Sequence, residues 1–334
     1  MKNVLIIGGT GILGRPLVAQ FIKNDECIVY SISLERAQNP SFPSVVEEII
    51  IDRYSDGYKS VIISLNEKIN HKWDAVIDLI SYDDVSAEQT YRLFKDHARH
   101  FIVISTALVY DRSEEIGNPI SEITPLASTG QFGGYIDGKI KLENFWNTIS
   151  DANWTLLRPY HILGKGSLLG CLPYHNRDPK ILEKINNNET LYLANAGNVN
   201  FNYIHPLDVA IVIYKIINNP KSFREAYNLA NPEIINGFKY YEEIGKQLNK
   251  NIKVENITLS NIWSEMRGWE MTTLPHVYSV EKLRKDLDFV PNIPLAQAIK
   301  DSISNYPQYN IPIEQIPVHA HMNKLPKPKK PDWL

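Results

Sequence analysis

The sequence predicts an α/β fold: a doubly wound parallel sheet followed by a smaller C-terminal lobe. Three observations point there. Short apolar runs rich in Val and Ile recur through the first 105 residues, at Val4–Ile7, Cys27–Ile32, Ile49–Ile51, Ala75–Leu79 and Phe101–Ile104. Runs of this length without alternation suit strands buried on both faces. Segments with helical spacing lie between some of them, and the first run ends in a cluster of glycines. A chain of 334 residues also fits two units at about 150 residues each.

Taken in order, Val4–Ile7 is the first strand, and Leu13, Leu17, Val18, Phe21 and Ile22 mark one face of the helix after it. Tyr91, Phe94 and His97 indicate a second helix before the strand at Phe101–Ile104. A third spans about Phe132 to Ile149, with Leu142, Phe145, Trp146 and Ile149 inward. Trp154–Arg158 is a sixth strand, stopped by Pro159, which has no N–H to continue a ladder. Residues 160–205 scatter Gly, Pro and Asn around short apolar pieces, as a lobe over the sheet edge would. Helices return at Leu207–Ile217, Phe238–Leu248, Val280–Leu287 and Leu295–Ile303. The expected organisation is therefore a nucleotide-binding unit over residues 1–160, with the 207–218 helix packing back on it. A substrate lobe follows over 161–306 and a Pro- and Lys-rich tail over 307–334.

Composition narrows the function. At 43% hydrophobic and 22% charged residues, the chain is an ordinary globular protein, not a disordered or collagen-like one. Thirty-five basic against 38 acidic side chains leave a net charge of −3, which predicts no nucleic-acid partner. No apolar run reaches the roughly 18 residues of a membrane span. The opening Met1-Lys2-Asn3 runs straight into a strand without the parts of a signal peptide. Cys27 and Cys171 make no disulfide framework. A cytoplasmic location is expected.

Gly8, Gly11 and Gly14 form a G-x-x-G-x-x-G turn between the first strand and the first helix. Such a turn lets backbone approach a diphosphate, while free N–H groups at the helix start hold the anion. A dinucleotide is expected over Gly8, Thr10, Gly11, Ile12, Leu13 and Gly14, with Leu79, Ser105 and Pro159 at later strand ends. NAD sites usually carry an acid at the end of strand two, about 20 residues on. Here Ser31 stands at that place, with Ser33 beyond it. A serine can donate to a 2′-phosphate that a carboxylate would repel, and Arg36 can pair with it. NADP is favoured over NAD. The alternative stays open that Glu35 binds the 2′-hydroxyl and Arg36 is a solvated loop residue. Asp52-Arg53, closing the third strand, lies near the adenine or is a surface ion pair.

Tyr135 and Lys139 are four residues apart on one helix, so they share a face. Upstream, a strand ends in Ser105-Thr106-Ala107-Leu108-Val109-Tyr110, and ligands of open α/β sheets collect at such ends. A phenol with a pKa of about 10 needs help to exchange protons near neutrality. Lowering it by about three units takes roughly 4 kcal/mol, which one ammonium at about 4 Å supplies at an effective dielectric of 20. Thr106 would orient and polarise the substrate oxygen. Together these residues make a hydride-transfer site.

With these motifs the chain resembles an extended short-chain dehydrogenase/reductase, the NAD-dependent epimerase/dehydratase family. The matching pieces are Gly8–Gly14, Ser105–Tyr110, Tyr135 with Lys139, Leu157-Arg158-Pro159, Phe201–Ala210 and Ala226–Ala230, spanning about residues 1–305. Asp52-Arg53 and Trp73–Leu79 look closest to an atypical branch that includes plant chloroplast stem-loop RNA-binding proteins. The resemblance implies a Rossmann domain, a Thr106–Tyr135–Lys139 triad, Tyr160-His161-Ile162 facing the nicotinamide, and a homodimer. Family 4,6-dehydratases carry Thr-Asp-Glu where this chain has Thr106-Ala107-Leu108, so the acid and base of elimination are missing. Ser31 weakens the family's NAD-retaining nucleotide-sugar epimerase reading without removing it, and that reading stays as an alternative. What remains is an NAD(P)-linked reductase or dehydrogenase acting on a polar, sugar-nucleotide-like carbonyl or carbinol. A non-catalytic RNA-binding or regulatory member is the rival, and the lack of a basic stripe argues against it.

Tyr160, Arg177 and His205 are the candidate substrate contacts, with lobe packing an alternative for His205 and His175. Arg177 is equally readable as the partner of Asp178. His319 and His321 alternate with no third ligand near, so no metal is expected. Trp263, Trp269 and Met271 suit the lobe core or a cap on the cleft.

Overall fold

A computed structural model describes residues 1–23, 26–38, 40–69, 72–111, 119–131, 134–170, 178–258, 274–304 and 306. Seven parallel strands form the central sheet: β1 (Lys2–Ile7), β2 (Cys27–Ser33), β3 (Val46–Ile50), β4 (Ala75–Asp78), β5 (Phe101–Ile104), β6 (Trp154–Pro159) and β9 (Glu225–Leu229). Their order is β3-β2-β1-β4-β5-β6-β9, which reverses direction beside β1 and leaves a crevice at the strand C-termini.

Period-two alternation sends β1 side chains to two different cores. Val4 and Ile6 pack with Leu17, Val18 and Phe21 of α1 (Gly14–Ile22) and with Val209, Val212, Ile213 and Ile216 of α6 (Pro206–Ile216). Leu5 and Ile7 face Tyr58, Ile62 and Leu65 of α2 (Tyr58–Lys68), Phe94 of α3 (Asp84–Phe94), and Leu142 and Trp146 of α4 (Gly134–Thr148). A third core lies in the lobe. There Leu163, Ile181, Tyr203 and Tyr240 pack among α5 (Ile181–Asn186), α7 (Gly237–Gln247) and α9 (Leu295–Ser304). Short pairs complete the chain: β7 (Thr190–Ala194) with β11 (Lys253–Ile257), and β8 (Asn200–Phe201) with β10 (Ile235–Asn236). The helix α8 (Glu281–Leu287) sets Leu283 and Leu287 against the first core.

Two expectations need correction. The helix marked by Tyr91, Phe94 and His97 ends at Phe94, and His97 lies beyond it, exposed. Its start is fixed by a capping box in which Asp83 accepts from the Ser86 amide and Ser86 answers to the Asp83 backbone. The helix α2 was not expected at all, because Val61-Ile62-Ile63 in its middle is a β-branched triplet of strand-like composition. Cys171, His175, Arg177, Trp263, Trp269, Met271 and the 307–334 tail with His319 and His321 lie outside the described residues.

Candidate active site

The glycine turn forms a cradle at the C-terminal end of β1. Gly8 has φ 97°, a left-handed conformation that favours glycine, and a Cβ there would stand 2.8 Å from Ile80 Cγ2. At Gly14 a Cβ would meet the Gly8 carbonyl at 2.3 Å, so helix and turn touch backbone to backbone. No side chain caps the start of α1; the Arg15 amide donates to the Gly11 carbonyl at 3.1 Å and the Leu17 amide to the Leu13 carbonyl at 3.3 Å, while Pro16 has no N–H. The Leu79 amide donates to the Ile7 carbonyl at 3.0 Å, closing β4 against the same turn. Close backbone approach of this kind is what a diphosphate-binding turn requires.

At the ribose end the structure shifts the expected roles. Ser31 is buried beneath the turn, where a Cβ on Gly9 would lie 2.1 Å from its Oγ, and its hydroxyl has no hydrogen-bond partner among the described residues. Ser31 therefore does not present a donor to a ribose. The register pairs Ile32 with Ile7, so Ser33 is the residue beside Gly8 at the end of β2, and its Oγ accepts from the Thr10 amide at 3.2 Å. Arg36 is 70% exposed, with Nη1 3.7 Å from Glu48 Oε1. Asp52 is exposed and accepts from the Tyr54 amide. Arg53 reaches neither the surface nor Asp52. It is buried against Asp78, Gln89 and Thr90, which corrects both the adenine and the surface-pair readings of that side chain.

Thr106 lies just past the end of β5, and Tyr135 and Lys139 lie in the first turns of α4, from which Lys139 reaches the Ile104 carbonyl that ends β5. Thr106 is buried just past β5, and its Oγ1 accepts from the Leu108 amide at 3.3 Å, so its O–H hydrogen remains to be donated. Lys139 is buried, with Nζ 5.7 Å from the centre of the half-buried Tyr135 ring and 5.1 Å from that of Tyr82. Its ammonium donates to the carbonyls of Ser81, at 2.5 Å, and Ile104, at 2.6 Å. Gly138 makes this reach feasible, since a Cβ there would stand 2.5 Å from the Tyr82 carbonyl. Burial pulls the Lys139 ammonium down to about 7, against the opposing attraction of Asp78 and Glu143.

Behind Thr106 runs a buried network that sequence reasoning missed. Ser105 Oγ donates to Glu143 Oε1 at 2.5 Å, and Arg158 meets Glu143 through Nε at 2.9 Å and Nη2 at 2.5 Å. Arg158 Nη1 donates to the Tyr110 hydroxyl at 2.9 Å, and that hydroxyl donates to Asn228 Oδ1 at 2.5 Å. The network ties α4 to β5, β6 and β9. Its signal was present: an arginine inside an apolar strand, and a glutamate one turn after Lys139 on the same face.

The lobe is aromatic where it meets the end of β6. Tyr160 stacks on His276 at 4.8 Å between centroids, and His161, with φ 33°, sets its ring edge against Phe201 and Tyr240 at 5.5 Å each. Pro159 is buried as the last residue of β6, paired with Leu229. His205 lines a pocket together with Thr10, Gly11 and Ile12 of the glycine turn. It caps α6 by accepting from the Leu207 amide at Nδ1, and its Nε2 lies 3.3 Å from Asp301 Oδ2.

Fold and site together define an extended short-chain dehydrogenase/reductase. The chain belongs to the NAD dependent epimerase/dehydratase family, which it matches over residues 4–230. Among solved structures it is similar to an epimerase of the methanogen Methanothermobacter thermautotrophicus, with 17% identity and a TM-score of 0.74 over 91% of this chain and 92% of that one. A UDP-N-acetylglucosamine 4-epimerase of Methanobrevibacter ruminantium, in complex with UDP-N-acetylmuramic acid, matches at 18% identity and a TM-score of 0.69, covering 91% and 98%. The dTDP-glucose 4,6-dehydratase of Bacillus anthracis, in complex with NAD, matches at 15% identity and a TM-score of 0.68, covering 92% and 96%. A search of curated proteins finds no significant match. No helix among the described residues is long and apolar enough to cross a membrane.

Proposed function

We propose that the protein is an NAD(P)-dependent oxidoreductase acting on a polar carbonyl or carbinol, with a sugar-nucleotide-like molecule as substrate. The observation that carries this reading is the buried Lys139 ammonium 5.7 Å from the Tyr135 ring, beside Thr106 at the end of β5. Gly8, Gly11 and Gly14 would hold a nicotinamide dinucleotide, whose ring would supply or take the hydride. Tyr135 exchanges the proton of the substrate oxygen, and Lys139 favours the phenolate form through its charge. The Thr106 hydroxyl donates to the same oxygen and orients it. Ala107 and Leu108 bring no acid or base beside it, so elimination of water has no agent there.

NADP is the preferred cofactor on this reading. Ser33, in place of an acid, ends β2 beside Gly8, and the exposed Arg36 stands a few residues on. The test is titration with NADPH and NADH by fluorescence quenching, then turnover of a carbonyl library followed by nicotinamide absorbance. Tyr135→Phe should bind cofactor like the wild type and lose about 100-fold or more in kcat. Unchanged turnover in that variant, or no binding of either cofactor, refutes the proposal. Oxidised cofactor that co-purifies and stays bound through turnover identifies an epimerase instead.

A further inference from the structure

Lys139 is held from beneath by a chain of side chains that the family motifs do not include. Its ammonium donates to the Ser81 carbonyl, and the Ser81 hydroxyl donates to Asp78 Oδ2, each at 2.5 Å. Asp78 also accepts from Thr90 Oγ1 at 2.5 Å, from the Ile80 amide at 3.0 Å, and on both oxygens from Arg53 Nη1 at 3.2 Å. Arg53 is fixed in its turn by Gln89 Oε1 and the Ser86 carbonyl. Every polar atom of the Asp78 carboxylate is thus engaged, in a place that water does not reach.

A buried ion pair is a poor way to stabilise a fold, because an apolar pair of similar volume avoids the desolvation. Strand β4 is otherwise Ala75-Val76-Ile77, and the sheet itself needs no charge at its end. The charge stands instead three residues before the carbonyl that receives the lysine. We propose that Asp78 is a positioning residue for Lys139: locked by Arg53, it grips the Ser81 hydroxyl and so aims the Ser81 carbonyl at the ammonium. The role rests on Lys139 being the partner of Tyr135 in the proposed reaction.

Other groups also face the ammonium. Glu143 stands one turn further along α4, Asp83 leads into α3, and Arg53 opposes from beyond Asp78. The Tyr82 and Tyr135 rings flank it. Among the charges Asp78 is the strongest in favour of the ammonium, which stands against the burial that disfavours it.

The test follows the ionisation of Lys139 in the ligand-free full chain by NMR of ε-carbon-labelled lysine, with the resonance assigned by its absence from Lys139→Arg. Asp78→Asn should lower the midpoint by about one unit or more, because it removes an attractive charge and leaves Arg53 opposing. Ser81→Ala keeps the carbonyl and the charge but cuts the tie between them, and should move the midpoint the same way by less. If Asp78→Asn does not fold, Ser81→Ala decides. Folded variants with a wild-type midpoint overturn the proposal, because a purely structural network would lower stability without touching Lys139. NADPH and NADH titration of the wild type runs alongside. Absence of binding there sinks the enzymatic reading while leaving the Asp78–Lys139 linkage measurable.

Discussion

Replacing Lys139 by methionine should abolish turnover and change how stability depends on pH. Burial holds the ammonium at about 7, against 10.5 for a free lysine. Across that interval the unfolded chain carries a proton that the native state has released, so wild-type stability rises with pH. The cost of the buried ammonium is greatest below the folded value, where a difference of about 3.5 units at 1.36 kcal/mol each amounts to roughly 5 kcal/mol. By about pH 9 it has fallen to roughly 2 kcal/mol. Methionine carries no such penalty. The two hydrogen bonds to the Ser81 and Ile104 carbonyls are stronger from the ammonium than from the amine, and that difference is already contained in the folded value of about 7. Urea unfolding of both ligand-free proteins between about pH 6 and pH 9 should show the wild type gaining roughly 3 kcal/mol on the variant. Parallel profiles would mean that the native lysine titrates like a free one, and the geometry assigned to it would fail.

Further outcomes test the surrounding site. Glu143→Ala leaves the Arg158 guanidinium buried without its carboxylate and should cost about 3–5 kcal/mol in denaturant unfolding, whereas Glu143→Leu combined with Arg158→Met should recover most of the loss. Gly138→Ala drives a methyl against the Tyr82 carbonyl, so α4 must move, with a loss of about 1–3 kcal/mol in stability and a fall in kcat larger than the change in KM. Arg36→Ala should weaken NADPH at least about tenfold and leave NADH unchanged, as a lost charge-assisted bond to the 2′-phosphate requires. Equal affinities in that variant and the wild type would remove Arg36 from the site.

The strands of the sheet were legible because a strand buried on both faces writes a continuous apolar run. Val4–Ile7 and Phe101–Ile104 lie within one or two residues of their observed limits. The Tyr135–Lys139 spacing was legible because one helical turn brings the two together whatever the tertiary context. The short lobe strands were not. Thr190–Ala194 and Lys253–Ile257 pair across more than fifty residues, and the second is mostly exposed and polar, so neither length nor periodicity marks it. Arg53 was misplaced for a related reason. Its partner Asp78 is distant in sequence and ends β4, which β2 and β1 separate from β3 in the sheet, so no local pattern links the two. Ser31 and Ser33 differ by one pleat, and counting from the glycines did not fix which of them ends the strand. The pairing of Ile32 with Ile7 does.

The seventh strand and α6 have a consequence for how the chain is made. Strand β6 is finished at Pro159, yet its second neighbour, β9, is supplied only at Glu225–Leu229. The helix that covers the α1 side of the sheet, with Val209, Val212 and Ile213, also arrives late. A ribosome working at roughly 5–20 residues per second needs several seconds for that stretch. Throughout them the nascent polypeptide shows an unpaired strand edge and a sheet face covered by α1 alone. Variants that weaken β9 or α6 should therefore lower the yield of soluble chain more than the activity of the molecules that fold.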